Sequence, residues 1–143
     1  MTVRSILSHK GRDVFTMAPA ALLSEAIRIL ADRRIGAVVV TGPDNRVAGI
    51  LSERDIVRAL SERGAAALDD TVGAVMTRKV TTCTENDTIS VIMERMTVGK
   101  FRHVPVVDDG RLVGVISIGD VVKSRVHEIE GETDALREYI ATA

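Results

Sequence analysis

Aromatic residues make up only 2% of this 143-residue chain, which holds Phe15, Phe101 and Tyr139 and no tryptophan. Stacking platforms for single-stranded nucleic acid are therefore nearly missing. A formal net charge of −1 supplies no basic field for a phosphate backbone, so nucleic acid is not an expected partner. The single cysteine, Cys83, excludes an internal disulfide framework and fits a reducing, cytoplasmic setting. No apolar run approaches the length that crosses a bilayer. The opening stretch MTVRSILSHKGRD is too polar for a signal peptide, so no membrane partner is expected. His9, His103 and His127 are scattered and Cys83 stands alone, which gives no zinc spacing and no metal site. Neither a P-loop nor a G-x-G-x-x-G stretch occurs. With no catalytic constellation, the chain does not read as an enzyme.

What the chain does contain is a repetition. GILSERDIVR, from Gly49 to Arg58, returns as GVISIGDVVK, from Gly114 to Lys123. Upstream, Leu23, Ala26, Ile27 and Leu30 match Ile89, Ile92, Met93 and Met96 at one constant offset. Each set has the i, i+3, i+4, i+7 spacing of one helix face. Two apolar runs of strand length follow in each half, AVVVT and VAGIL in the first, VPVV and LVGVI in the second. The separators GPDNR and DDGR carry turn chemistry. A short lead also recurs, with TVRSILS at Thr2–Ser8 resembling TVGAVMT at Thr71–Thr77.

Each unit therefore reads as a lead, a strand, a helix, a strand, a turn, a strand and a helix. The expected organisation is repeat 1 over 1–61, a linker over 62–70, repeat 2 over 71–126 and a charged helical tail over 127–143, which Gly131 would interrupt. Two copies are too few for a solenoid. One copy alone would expose a sheet face, and packing the two sheets face to face about a pseudo-twofold axis buries both.

With its G-h-h-S-x-x-D ending and its FRHVPVVDDGRLVGVIS stretch, the unit resembles a CBS domain, and the pair resembles a Bateman module of the stand-alone bacterial kind. The resemblance spans roughly Thr2 to Val126. It implies an α/β fold (α+β type) of tandem β-α-β-β-α repeats. It further implies a regulatory module that binds an adenosine-containing ligand (AMP, ADP, ATP, NAD or S-adenosylmethionine) in clefts between the repeats. No cofactor is required. The module pairs into a homodimer and signals to an unknown protein target. The competing expectation is a scaffold whose clefts stay empty and which works through protein–protein contacts.

Ser52-Glu53-Arg54-Asp55 and Ser117-Ile118-Gly119-Asp120 lie between a strand and a helix. A capping box is a sufficient cause for that pattern. The same geometry offers a phosphate the free N–H groups of a helix N-terminus, and the resemblance gives Asp55 and Asp120 the ribose hydroxyls. Arg54 opposes the helix dipole, which an anion would offset. Gly119 permits close backbone approach. Pro105 cannot donate to a ladder, so its strand is an edge or irregular there. By resemblance, the segment Lys100, Arg102, His103, Val104 and Pro105 lines a purine pocket together with Val80 and Thr81. On these grounds the site in repeat 2 comprises those residues with Ser117, Gly119 and Asp120. The site in repeat 1 comprises Val14, Phe15, Ile35, Gly36, Ala37, Ser52, Arg54 and Asp55, and is expected to be the smaller and less charged of the two.

Overall fold

The computed structural model describes residues 1–142. Helix α1 (Val3–Lys10) leads to a two-residue strand β1 (Thr16–Met17), helix α2 (Leu23–Arg33) and the antiparallel hairpin β2 (Ala37–Thr41) and β3 (Val47–Ser52). Helix α3 (Glu53–Arg63) runs into a 3-10 segment (Gly64–Asp69), so the expected linker is itself helical. The second half contains α4 (Val72–Val75), α5 (Ile89–Gly99), the hairpin β4 (His103–Asp108) and β5 (Arg111–Ser117), and α6 (Ile118–Thr142). The fold is mixed α/β, as the periodicity predicts. The tail is not a separate element. Gly131 does not break α6, which continues from the last helix of repeat 2 without interruption.

The helix ends follow the local chemistry. Thr88 caps α5 by accepting the Val91 N–H at 3.3 Å, whereas Leu22 at the matching point of α2 offers no side-chain cap. Arg34 and Lys100, the matching C-caps, both adopt the left-handed conformation, with φ of 55° and 56°. They turn each chain sharply from its helix into the segment that precedes a strand.

The repeats differ at one strand, and a proline explains it. In repeat 1, β1 pairs parallel to β2 through Thr16 with Val39 and Met17 with Val40. Pro105 holds the place of Val39 in repeat 2. Without an N–H it cannot supply the corresponding donor. The strand expected near Val80 is thereby reduced to a single parallel bridge between Cys83 and Val106.

The leads do not pack within their own repeats. Val3, Ile6 and Leu7 of α1 are buried with Ile89, Ile92, Met96, Val104 and Ile116 of repeat 2. Val72 and Met76, around α4, are buried with Leu23, Ala26, Val38 and Leu51 of repeat 1. The backbone records the same exchange. Thr2 bridges Thr88, and Thr71 bridges Leu22. The Ile89 N–H donates to Met1 O at 3.1 Å, and the Leu23 N–H donates to Asp70 O at 2.8 Å. Each repeat thus completes its core with the other's lead, which is why neither buries its apolar surface alone.

Two glycines make room for the exchange. A Cβ on Gly49 of β3 would lie 2.6 Å from Met76 Sδ and 2.7 Å from Thr77 O. A Cβ on Gly114 of β5 would lie 2.8 Å from Leu7 Cδ2. The leads therefore rest directly on strand backbone, and this carries Lys10, Thr77 and Lys79, at the ends of the leads, into the clefts described next.

Candidate functional site

Two clefts open where the repeats meet, and each draws on both. The larger, of about 960 Å³, is lined by Val14, Phe15, Ile35, Gly36 and Ala37 of repeat 1 and by Val115 and Ser117 of repeat 2, with Lys10 from the exchanged lead. The smaller, of about 470 Å³, joins Ser52, Arg54 and Asp55 of repeat 1 to Val80, Thr81, Lys100 and Arg102 of repeat 2, with Thr77 and Lys79 from the other lead. This corrects the grouping expected from the sequence, which kept each strand segment with the Ser/Asp pair of its own repeat. Val104 and Pro105 are buried. Val104 is a core residue at 0% exposure, and Val104, Pro105, Gly119 and Asp120 are not among the residues that line either cleft. The less charged cleft is the larger one, contrary to expectation.

Gly36, Ile50 and His103 line both clefts. A Cβ placed on Gly36 would stand 3.5 Å from His103 Cε1, so these two residues form the partition. Burial holds His103 below its ordinary pKa, with Lys10 adding to the effect and Asp120 and Glu53 partly offsetting it. The imidazole is therefore neutral at pH 7 and senses charges in both clefts.

The capping boxes form in both copies. Ser52 Oγ accepts the Asp55 N–H at 3.3 Å, and Asp55 Oδ2 accepts the Ser52 N–H at 2.9 Å. Ser117 Oγ accepts the Asp120 N–H at 3.2 Å, and Asp120 Oδ2 accepts the Ser117 N–H at 2.9 Å. The first N–H of each helix is also spoken for, since Glu53 donates to Gly36 O and Ile118 donates to Arg102 O. That leaves the N–H groups of Arg54 and Gly119 without a partner among the described residues. The helix starts thus offer an anion one N–H each rather than several. Gly119 stands in open space, with only Ser117 Oγ, at 3.6 Å, near a Cβ placed there.

The two aspartates are not equivalent. Asp55 is 4% exposed, and its second oxygen, Oδ1, accepts the Thr77 hydroxyl at 2.9 Å and has Arg58 at 3.8 Å. Asp120 uses only Oδ2, which also receives Lys10 Nζ at 2.7 Å; its Oδ1 has no partner among the described residues. Burial pushes Asp120 upward, but the Lys10 and Ser117 hydrogen bonds outweigh it and hold the carboxyl below its ordinary value. Lys10 Nζ donates as well to Val115 O at 3.0 Å, so this lysine closes the approach to Asp120 from the larger cleft.

Charge divides the other way. The smaller cleft gathers Arg54, Arg58, Lys79, Lys100 and Arg102 against Glu53 and Asp55. Arg54 reaches across it to Lys100 O at 3.5 Å. The larger cleft has Lys10, Arg33 and Arg34 against Asp13 and Asp32. There Arg33 lies over the face of Phe15, 4.2 Å from the ring centre, a cation–π contact at the wall. Cys83 takes no part. Burial, reinforced by Asp87, pushes its thiol up to about 12, which leaves it inert.

Sequence reasoning missed Lys10 and Lys79. Both follow the recurring lead, and aligning Thr2–Ser8 with Thr71–Thr77 sets Lys10 against Lys79. The signal was present, but only the exchange of leads shows that each lysine serves the cleft whose aspartate lies in the other repeat.

The pattern of the CBS domain matches residues 3–62 and again 72–127. The chain belongs to the CBS domain family. As a CBS pair it is similar to a CBS-domain protein of Agrobacterium tumefaciens, with a TM-score of 0.83 and 51% identity over 87% of this chain and 92% of that one. A CBS domain protein of Pyrobaculum aerophilum, solved in complex with AMP, is 32% identical with a TM-score of 0.74, over 84% of this chain and 89% of that one. The CBS domain pair of protein MJ0100, solved with 5′-methylthioadenosine and S-adenosyl-L-methionine, is 26% identical with a TM-score of 0.79, over 90% of this chain and 98% of that one. Among the described residues, no helix of this CBS pair is long and apolar enough to cross a membrane.

Proposed function

We propose that this CBS pair is a non-catalytic, cytoplasmic sensor that binds an adenosine-containing ligand in its larger cleft and transmits occupancy to a protein target as a homodimer. The observation that carries this reading is Asp120 next to the larger cleft: Lys10 and Ser117, which line that cleft of about 960 Å³, hold its Oδ2, and its Oδ1 has no partner among the described residues. A carboxylate oxygen without a donor accepts ribose hydroxyls. The volume lies within the range of nucleotide-sized sites. The segments Val14–Phe15 and Ile35–Ala37 form the wall against which a purine would lie, offering backbone groups to its polar rim. His103 and Lys10 stand where a phosphate would follow. The AMP complex of the Pyrobaculum relative and the adenosine-type ligands of MJ0100 support the ligand class. The cationic smaller cleft, whose aspartate is already engaged, suits a more highly phosphorylated ligand.

A ligand that prefers one arrangement of the two repeats shifts the population toward it, and the target reads that shift. A screen of melting temperature against AMP, ADP, ATP, NAD, S-adenosylmethionine and guanosine nucleotides tests the class. A ligand bound only by the folded protein raises the midpoint. A rise of several degrees with an adenosine ligand and not with its guanosine counterpart supports the reading. No rise with any of them favours a module that acts through its surfaces alone.

A further inference from the structure

The inner face of α6 is settled by Val121 and Ser124, which are buried. On the nearly opposite face runs an apolar stripe that the rest of the chain leaves uncovered. Val122, Val126, Ile129, Leu136 and Ile140 are 48–65% exposed. With Thr133 they alternate in steps of four and three residues, which is the seam of a heptad repeat. Val126, Thr133 and Ile140 fall at the first position of the seam, where β-branched side chains favour two parallel strands. Val122, Ile129 and Leu136 fall at the second. Gly131 falls on the outside, with nothing within 4 Å of a Cβ placed there, so it costs the seam nothing sterically.

The flanking charges say what covers the stripe. In a parallel pair, each residue just before the first seam position meets the partner residue five positions further on. This sets Arg125 against the partner's Glu130 and Glu132 against the partner's Arg137, both attractive. An antiparallel pair that covers the whole stripe would set Glu132 against the partner's Glu132 and Lys123 against the partner's Arg137, both repulsive. Arg125 now rests on Glu128 of its own chain at 2.8 Å. That is a solvent-exposed contact, and such pairs are weak enough to rearrange.

We propose that α6 is the dimer contact of this protein, pairing with α6 of a second copy as a parallel two-stranded coiled coil through Val122, Val126, Ile129, Thr133, Leu136 and Ile140. A helix in a protein draws most of its stability from packing its apolar face rather than from propensity. Here the first turns are held against the folded module, which removes part of the ordering cost. The proposal names the surface and orientation of the homodimer and stands apart from ligand binding.

The test is the molecular mass of the full chain in solution, by sedimentation equilibrium. The wild-type protein is expected to be a dimer, and Ile129→Glu with Leu136→Glu a monomer with unchanged far-ultraviolet circular dichroism, since both side chains are exposed. Glu132→Arg and Arg137→Glu should each raise the dimer dissociation constant about tenfold, and the double exchange should restore it. Val126→Cys and Ile140→Cys, in separate chains, should each form a symmetric disulfide on mild oxidation, because only parallel helices bring both ends of the seam onto themselves. A wild-type monomer overturns the proposal, as does a dimer that survives Ile129→Glu with Leu136→Glu. Disulfide formation at neither position overturns the parallel orientation.

Discussion

Lys10 Nζ lies 2.7 Å from Asp120 Oδ2, joining the first helix of the chain to the start of the last. The pair depends on the exchange of leads, which lays α1 against repeat 2. It also places a cation on the carboxylate to which the proposed function gives the ribose hydroxyls. An ion pair that is partly open to solvent is worth roughly 0–1 kcal/mol, so under the proposed function ribose hydroxyls would displace it at little cost. The freed ammonium would then be available to a phosphate.

Lys10→Met is therefore expected to act in opposite directions on two ligands. Adenosine should bind somewhat tighter, because Asp120 is released. AMP should bind weaker, because its phosphate loses a partner. The ratio of AMP to adenosine affinity, measured by calorimetry, should fall by roughly tenfold, in line with the loss of one charged hydrogen bond. An unchanged ratio would remove Lys10 from phosphate recognition.

His103 predicts two pH effects. Its pKa is lowered in the folded protein from the ordinary 6.5. Below that value the unfolded chain binds the proton and the folded one resists it, so stability falls as the solution is acidified through about pH 6.5. His103→Gln should flatten that part of the profile in urea denaturation. An anionic ligand beside the imidazole raises its pKa again, so AMP binding should take up a proton and strengthen as pH falls from 8 to 6. Calorimetry in two buffers of different ionisation enthalpy measures that uptake directly.

The glycines under the exchanged leads should tolerate alanine unequally. At Gly49 the new methyl meets Thr77 O, which is locked by reciprocal bonds of 2.9 Å with Ile50. At Gly114 it meets the end of the Leu7 side chain, which can turn aside. Gly49→Ala is expected to cost roughly 1–3 kcal/mol as overpacking, and Gly114→Ala less. Urea unfolding of both variants decides it. The two costs being equal would mean that the lead after α4 yields as freely as a side chain.

Much of the fold was legible in the sequence, because the duplication shows itself twice, in helix faces and in turn chemistry. The hydrophobic spacing of Leu23, Ala26 and Leu30 marked a buried face, and all three are buried. The cap at Thr88 and its absence at Leu22 follow from the two residue types, since threonine carries a side-chain acceptor and leucine none. The exchange of leads was not legible. Val3 and Val72 are apolar in either arrangement, and periodicity says that a face is buried without saying against what. The grouping of the site residues failed for the same reason, since the leads and the Ser/Asp turns cross between repeats. The shortened strand before Cys83 traces to Pro105, whose effect was recognised at its own position but not on its neighbour. The seam on α6 was also readable as a pattern, but its exposure shows only when Val121 and Ser124 reveal which face is inside.

The most direct test is titration calorimetry of AMP into the wild-type protein, Asp120→Ala and Asp55→Ala. The unused Oδ1 predicts that wild type binds, that Asp120→Ala loses roughly tenfold or more in affinity, and that Asp55→Ala, after allowance for any loss of stability, loses less. Binding that survives Asp120→Ala unchanged, or an absence of binding by the wild-type protein, would contradict the account.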